Sequence, residues 1–238
     1  MRLSFRYGWH AARQTLGWVW PCTAAFASLI CIGIAGLLAA QAIGSAESAR
    51  QTELYLLQGA TFGLVMPLFI FSMSCRLDNG LDPLLCASWA RHGADRRVFG
   101  LGRMAFPSVI SCALGIVGGG LALGLSSASS DPALGLPLGL TTNPWALTWI
   151  AALGAISYTA CLGVAQLVAG GWGLALFLVG DWLLGSGIGV TALPWPRSHL
   201  RALLGGAPVL GMTELQAGAC LAAVTVVATL LYARRVPR

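Results

Sequence analysis

The chain has 238 residues, and its 14 arginines against eight acids give a net charge of +6. Apolar residues make up 57% of it and charged residues only 9%, whereas soluble domains carry about 25% charged residues. This composition excludes an ordinary soluble domain and indicates an integral membrane protein.

The first predicted element is a helix over residues 1–16. Its basic side chains fall within an arc of about 80° when placed on a helix, and aromatic and leucine side chains flank that arc. This pattern is typical of a helix at the membrane surface, with guanidinium groups directed toward lipid phosphates. A frayed basic tail is the alternative. The residues predicted to contact the membrane surface are Arg2, Arg6, Trp9 and Arg13.

Six apolar runs are long enough to cross a hydrocarbon core of about 30 Å, which takes roughly 20 helical residues. We predict an all-α bundle, because the runs lack the alternation of transmembrane β-strands. The fourth and fifth runs are nearly continuous, and only Gln166 and the Gly170–Gly171 pair indicate a turn between them. The predicted spans are approximately residues 18–43, 55–75, 104–125, 146–165, 167–188 and 215–233.

Residues 76–103, between the second and third spans, carry five of the arginines and three of the acids. Asp82 and Pro83 form a strong helix start, because the carboxylate accepts free amide hydrogens and proline suits the first helical position. Gly93 supplies a stop, and Asp95 is then placed to cap the third span. We predict a short cytoplasmic helix that docks on a partner and moves both neighbouring spans. A solvated basic loop is the alternative.

The arginines also predict the orientation. With six spans, eleven arginines fall on one side and only Arg50, Arg197 and Arg201 on the other. Because short basic loops resist translocation, we expect both termini and residues 76–103 to be cytoplasmic. The chain is then expected in the cytoplasmic (inner) membrane of a bacterium.

The central loop follows the order Arg-x-Asp-x-Gly-Leu-Asp-x-Leu-Leu, then a basic residue, Asp-Arg-Arg, and Gly-Arg entering the third span. This order resembles the cytoplasmic signature of the type-2 ABC exporter permeases. The departures are Leu81 for threonine, Asp82 for glutamate, and no proline at residues 88–90. The resemblance covers the whole chain as topology, including an outer segment at 200–212 that matches a re-entrant piece, but only residues 76–103 as motif.

The resemblance implies the transmembrane half of an exporter, working as a dimer with a second copy or a paralogue. It also implies two ABC ATPase subunits, which hold the ATP and magnesium, so no cofactor is expected in this chain. Membrane lipids are further expected partners, and nucleic acid is not. The residues expected to couple to the ATPase are Arg76, Asp78, Gly80, Asp82, Leu84, Leu85, Arg91, Asp95, Arg96 and Arg97.

The chain contains no lysine, which supports a separate ATPase independently of the resemblance. A P-loop uses a lysine to reach the β- and γ-phosphates of ATP. This chain therefore has no standard Walker A site, and ATP energy has to come from another polypeptide.

One acid, Asp181, lies within the fifth predicted span, where a carboxylate costs several kcal/mol unless it is paired or neutral. Three roles remain open for it: a place in the transport pathway or a gate, a structural hydrogen bond, or a position near the outer interface. The seven cysteines are scattered singly, so no metal site is predicted.

Two other classes of protein compete with the exporter. An intramembrane serine protease needs a Gly-x-Ser-Gly nucleophile and a histidine on a neighbouring helix, whereas His10, His92 and His199 fall in predicted interface or loop positions. We therefore expect no catalytic residue. The second competitor is a non-transporting accessory or channel-like subunit, for which changes in the central loop leave ATPase association unaltered.

Overall fold

A computed structural model describes residues 2–41, 51, 54–79, 95–128 and 144–235. Throughout these ranges the chain is helical apart from short turns, with no strand, which confirms the all-α prediction. The helices are α1 (Arg2–Leu16), α2 (Val19–Gln41), a π-helix (Tyr55–Val65) continuing as α3 (Met66–Asn79), α4 (Arg96–Ala128), α5 (Pro144–Leu183), α6 (Pro196–Leu203) and α7 (Glu214–Arg235), with 3₁₀ turns at Val190–Ala192 and Val209–Gly211.

Five helical segments of the described chain are long and apolar enough to cross a membrane, which is compatible with a membrane location. They match the predicted spans approximately, except that the fourth predicted span and most of the fifth fall within the single segment that belongs to α5. The segments are Val19–Leu38, Tyr55–Leu77, Arg97–Gly124, Trp145–Leu183 and Glu214–Arg234.

The helix α5 reverses direction at Ala169 and Gly170, whose backbone angles are not helical. Gly170 has φ 59° and ψ −143°, a region that is essentially reserved for glycine. The hydroxyl of Tyr158 lies 2.9 Å from a carboxylate oxygen of Asp181, whereas 23 residues of straight helix would separate them by about 35 Å. The helix therefore doubles back. Its two arms comprise residues 144–168 and 171–183.

The second arm of α5 is shorter than predicted. The sequence predicts a span over residues 167–188, but the helix ends at Leu183. Glycines weaken a helix by about 1 kcal/mol each relative to alanine. Beyond Leu183, glycine occupies every second position, at Gly185, Gly187 and Gly189. At 1.5 Å per residue the second arm reaches about 20 Å, and irregular chain continues from its end toward α6.

The second candidate span begins as a π-helix, in which each amide bonds to the carbonyl five residues earlier. The amide of Met66 bonds to the carbonyl of Thr61 in this way, and the Thr61 hydroxyl donates to the carbonyl of Leu56 at 2.8 Å. Such helices are rare and usually confined to one turn, often beside functional sites. The sequence does not predict this feature.

The core of the bundle lies between the π-helix, α3, α4 and the first arm of α5. Its largest fully buried side chains include Phe62, Met66, Phe106, Ile150 and Tyr158. Of the candidate spans, Tyr55–Leu77 is the most buried and Val19–Leu38 the least. The outward face of α2 is therefore available to lipid or to another chain.

Candidate functional site

The bundle has two polar ends, which we name by the short helix at each. At the α1 end, α1 packs against the beginning of α4 beside the end of α3. At the α6 end, α6 packs against the beginning of the π-helix. At the α6 end, the side-chain amide of Gln58 donates to the carbonyl of Leu204. At the α1 end, the guanidinium of Arg103 donates to the carbonyl of Leu77. The helix from Gln58 to Leu77 separates the two ends by roughly 28 Å.

At the α1 end, the backbones of α1 and α4 touch almost directly. A Cβ atom added to Gly8 would overlap the carbonyl oxygen of Phe99, and one added to Gly102 would overlap that of Phe5. Glycine is the residue that permits this close approach. The contact fixes α1 across the first turns of α4.

The side chains predicted to contact the membrane surface differ in their surroundings. Arg6 and Arg13 are exposed, as a surface role requires. Trp9 is half-buried and packs edge-on against Phe106, with ring centroids 5.0 Å apart. The side chain of Arg2 lies outside the described part of the chain. The surface role itself stays a prediction.

Asp95 caps α4, as the sequence predicts. Its carboxylate accepts a hydrogen bond from the amide of Arg97 at 3.0 Å. Its own amide donates to the hydroxyl of Ser4 in α1 at 3.1 Å. The start of α4 is therefore joined to α1 by the Ser4 hydrogen bond as well as by helix packing.

Arg103 joins the end of α3 to the beginning of α4. Its guanidinium donates to the carbonyl of Leu77 at 2.7 Å. The guanidinium of Arg76 lies 5.5 Å from the ring centroid of Trp20 in α2, which is within the range of a cation–π contact. The helices on either side of residues 80–94 are therefore connected to each other and to α2.

The structure brings three of the predicted coupling residues, Arg76, Asp95 and Arg97, to the α1 end. For Asp78 and Arg96 it describes the backbone there but not the side chains. The remaining predicted coupling residues and the predicted short helix lie outside the described residues. Those remaining residues are Gly80, Asp82, Leu84, Leu85 and Arg91.

At the α6 end, the short helix α6 begins at Pro196, a residue that suits the first helical position. The Ser198 hydroxyl donates to the carbonyls of Ala192 and Trp195 at 2.7 and 2.8 Å. The Nε2 atom of His199 lies 2.7 Å from the carbonyl of Leu193. These buried side chains hold α6 against the turn that precedes it.

Asp181 connects both arms of α5 to α6. One carboxylate oxygen accepts a hydrogen bond from the hydroxyl of Tyr158 at 2.9 Å, and the other accepts from the backbone amide of Arg197 at 3.1 Å. Asp181 is only 2% exposed. Of the three roles left open by the sequence, a buried structural hydrogen bond is the one observed. A role in transport stays a prediction.

Two arginines on α6 border an open cleft of about 430 Å³. The guanidinium of Arg197 donates to the carbonyl of Gly63 in the π-helix at 2.6 Å. The guanidinium of Arg201 donates to the carbonyl of Ser186. From the sequence, Arg197 and Arg201 are predicted only to lie on the outer side of the membrane. The available signal was their spacing of four residues, which places both on one face of a helix.

Comparison with known protein families finds no family model that matches this chain, and comparison with curated proteins finds no match. Within the described ranges, no group of three histidine, cysteine, aspartate or glutamate side chains is placed to hold a metal ion. The function therefore has to be inferred from the two polar ends and from the sequence.

Proposed function

We propose that this chain is the transmembrane permease subunit of an ATP-driven exporter of the type-2 ABC class. It couples a separate ATPase to substrate movement across a bacterial inner membrane. The observation that carries the proposal is the set of bonds at the α1 end. They join the helices on both sides of residues 80–94, the segment whose sequence resembles the coupling loop of these permeases.

The bonds at the α1 end suit the transmission of force. Arg103 holds the end of α3 to α4, and Ser4 holds α1 to the cap of α4. A partner that pushes on residues 80–94 acts on these three helices together. The π-helix and α3 then carry the displacement over roughly 28 Å to the α6 end.

In this proposal the chain crosses the membrane six times. The first arm of α5 forms the fourth crossing. The second arm, about 20 Å long, forms the fifth together with the irregular chain that continues from it toward α6. Both termini lie in the cytoplasm with residues 76–103. The strong excess of arginine on that side supports this orientation. The exposed apolar side chains of α2 are suited to lipid and to a second copy or paralogue in a dimer. They include Phe26, Ile30, Ile34 and Leu37.

ATP and magnesium bind in the partner ATPase. The absence of lysine from the whole sequence supports this assignment, since a P-loop requires one. This chain then contributes the docking loop, the force-transmitting helices and the membrane pathway, and no catalytic residue.

The proposal is tested by purifying the chain from its native membranes in mild detergent and identifying bound proteins by mass spectrometry. An ABC ATPase is expected, with ATP turnover that depends on the permease. Asp82→Ala combined with Arg91→Ala should remove most of the bound ATPase.

A matched control is Asp131→Ala, which removes an acid from the loop between the third and fourth predicted spans and should leave the ATPase bound. Full retention of the partner and of stimulated ATP turnover in the Asp82→Ala, Arg91→Ala variant would contradict coupling through this loop. That outcome would favour an accessory subunit.

A further inference from the structure

The cleft at the α6 end combines positive charge with apolar surface. It is open to the outside of the bundle and lies between the beginning of the π-helix and α6. Its lining includes the polar residues Gln58, Ser186, Arg197 and Arg201 and the apolar side chains of Leu54 and Tyr55. A molecule with an anionic group and an apolar body fits this distribution.

Among the described residues that line the cleft, none supplies a counter-ion to the two arginines, because none of them is acidic. Asp181 attracts the Arg197 guanidinium electrostatically, but it is buried, accepts a hydrogen bond from the Arg197 amide and is not among the described residues that line the cleft. Burial, followed by the positive charge of Arg197, lowers the pKa of Arg201 below its ordinary value. The two like charges are therefore close enough to repel each other, and an anion between them would relieve that repulsion.

Both guanidinium groups also have hydrogen-bond donors to spare. A guanidinium carries five N–H donors, and within the described chain each of these two donates a single bond, to Gly63 and Ser186 respectively. The Nε atom of Arg197 is buried and has no partner among the described residues. Paired arginine forks match the several acceptor oxygens of a phosphate better than a single carboxylate.

We propose that this cleft binds a phosphate group. The exposed apolar side chains beside it favour a phosphate carried by a membrane lipid over free phosphate. Tyr55, which lines the cleft, is 62% exposed, and Trp182, whose ring centroid lies 6.0 Å from the Arg197 guanidinium, is 57% exposed. These two side chains provide a surface for acyl chains. The inference goes beyond the exporter proposal and does not depend on it, because it concerns the opposite end of the bundle from the predicted ATPase contact.

Lipid binding is measured by native mass spectrometry on the purified full-length chain without an ATPase. The probes are phosphatidylglycerol and diacylglycerol with the same acyl chains. Phosphatidylglycerol should be retained and diacylglycerol should not. Arg197→Gln and Arg201→Gln should each weaken retention roughly tenfold, the effect expected for one charge-assisted hydrogen bond. Arg234→Gln, which removes an exposed arginine at the other end, should change nothing.

Inorganic phosphate added as a competitor distinguishes the two sources of the anion. Displacement of phosphatidylglycerol by millimolar phosphate supports the site and identifies free phosphate as a sufficient ligand. Retention despite the competitor, with loss in the arginine variants, supports a lipid ligand. Equal retention of both lipids, or retention that is indifferent to Arg197 and Arg201, overturns the proposal.

Two further measurements guard against loss of binding through misfolding. Arg201→Lys preserves the charge but not the planar fork, so it should fold normally and retain part of the binding. Photoactivatable phosphatidylglycerol should label the unaltered chain within residues 54–59 and 182–187. Labelling confined to the α1 end would overturn the proposal without any variant. Because the ATPase is absent throughout, failure here is distinct from failure of the exporter proposal.

Discussion

The carboxylate of Asp181 serves as an acceptor for two donors that lie far apart in sequence. Tyr158 precedes it by 23 residues, and the amide of Arg197 follows it by 16. The Tyr158 hydroxyl is buried and the Arg197 amide is partly buried, so a substitution that deletes the acceptor leaves both without this partner. An unsatisfied buried donor costs about 1–3 kcal/mol.

We therefore expect Asp181→Ala to lower the free energy of unfolding by about 2–4 kcal/mol, because a buried hydroxyl and a partly buried amide lose their acceptor. Tyr158→Phe removes one of the same bonds and should cost about 1 kcal/mol. Unfolding by SDS titration in detergent micelles measures both. The matched control is Glu214→Ala at an exposed helix start, for which a change below about 0.5 kcal/mol is expected. Equal effects for Asp181 and Glu214 would contradict the structural role.

Asp181→Asn separates the structural role of this side chain from a role in transport. An amide can still accept from Arg197 and can donate to the Tyr158 hydroxyl, so most of the stability should remain. If the negative charge is needed for transport, substrate movement in reconstituted vesicles should fall at least tenfold while folding is preserved. Unchanged transport would exclude a charge-dependent role.

At the scale of single residues, the sequence predicts Asp95 as a cap and singles out Asp181 as a charge in an apolar run. It does not predict the partners of Asp181, because those depend on where α5 turns and where α6 docks. Arg197 and Arg201 were missed as a pair for the same reason. Their position on one face of α6 indicates a cleft only once the π-helix is known to lie opposite that face.

Among the elements, α1 is the one whose placement depends most directly on two glycines. We expect Gly8→Ala and Gly102→Ala to loosen α1, because the added methyl group would meet backbone atoms that have little freedom to move. Overpacking of this kind costs about 1–3 kcal/mol. Hydrogen exchange of residues 2–16, followed by mass spectrometry, should become faster.

Gly120→Ala in α4, the helix that also contains Gly102, is the control for this prediction, since a Cβ there meets nothing within 4 Å. It should be neutral or slightly stabilising, because alanine is favoured over glycine in a helix by about 1 kcal/mol. Unchanged exchange in the Gly8 and Gly102 variants would mean that α1 is held by other contacts.

Two adjacent glycines at the turn of α5 differ in backbone conformation, and only one of them has a conformation that requires glycine. Gly170 has a positive φ, whereas Gly171 does not and has open space around it. Gly170→Ala should therefore cost about 1–3 kcal/mol, and Gly171→Ala should be neutral or stabilising. Thermal unfolding of the two variants in the same detergent measures the difference. Equal melting temperatures would contradict the reversal at Gly170.

Helices and turns could be predicted from the sequence where nearby apolar or helix-breaking residues determine them. The apolar runs predict the long helices. A turn in α5 is predicted at Gln166 or at the Gly170–Gly171 pair, and the structure places it at Ala169 and Gly170. The second arm is shorter than its apolar run because glycines beyond Leu183 end it, and length alone does not reveal this. The π-helix has the same apolar composition as an α-helix, so its hydrogen-bond pattern cannot be predicted from residue types.

For the whole molecule, the proposed six crossings place the turn of α5 on the side of α1 and the 3₁₀ turn at Val190–Ala192 on the opposite side. In a cysteine-less chain, Gly171→Cys and Arg13→Cys should react with an impermeant maleimide only from the cytoplasmic side. Gly189→Cys should react only from the other side. Labelling of Gly171→Cys and Gly189→Cys from one side would mean that the second arm does not cross, which would contradict the six crossings.

The hydrogen bond between Tyr158 and Asp181, across the α5 hairpin, also affects how the molecule changes shape. Tyr158 and Asp181 lie at nearly equal distances from the turn at Ala169 and Gly170, so sliding one arm along the other by a helical turn, about 5.4 Å, would pull them apart. The bond therefore favours one register of the two arms, in which they move together. We expect opening and closing of the bundle to occur where this hairpin meets α3 and α4, rather than between its arms.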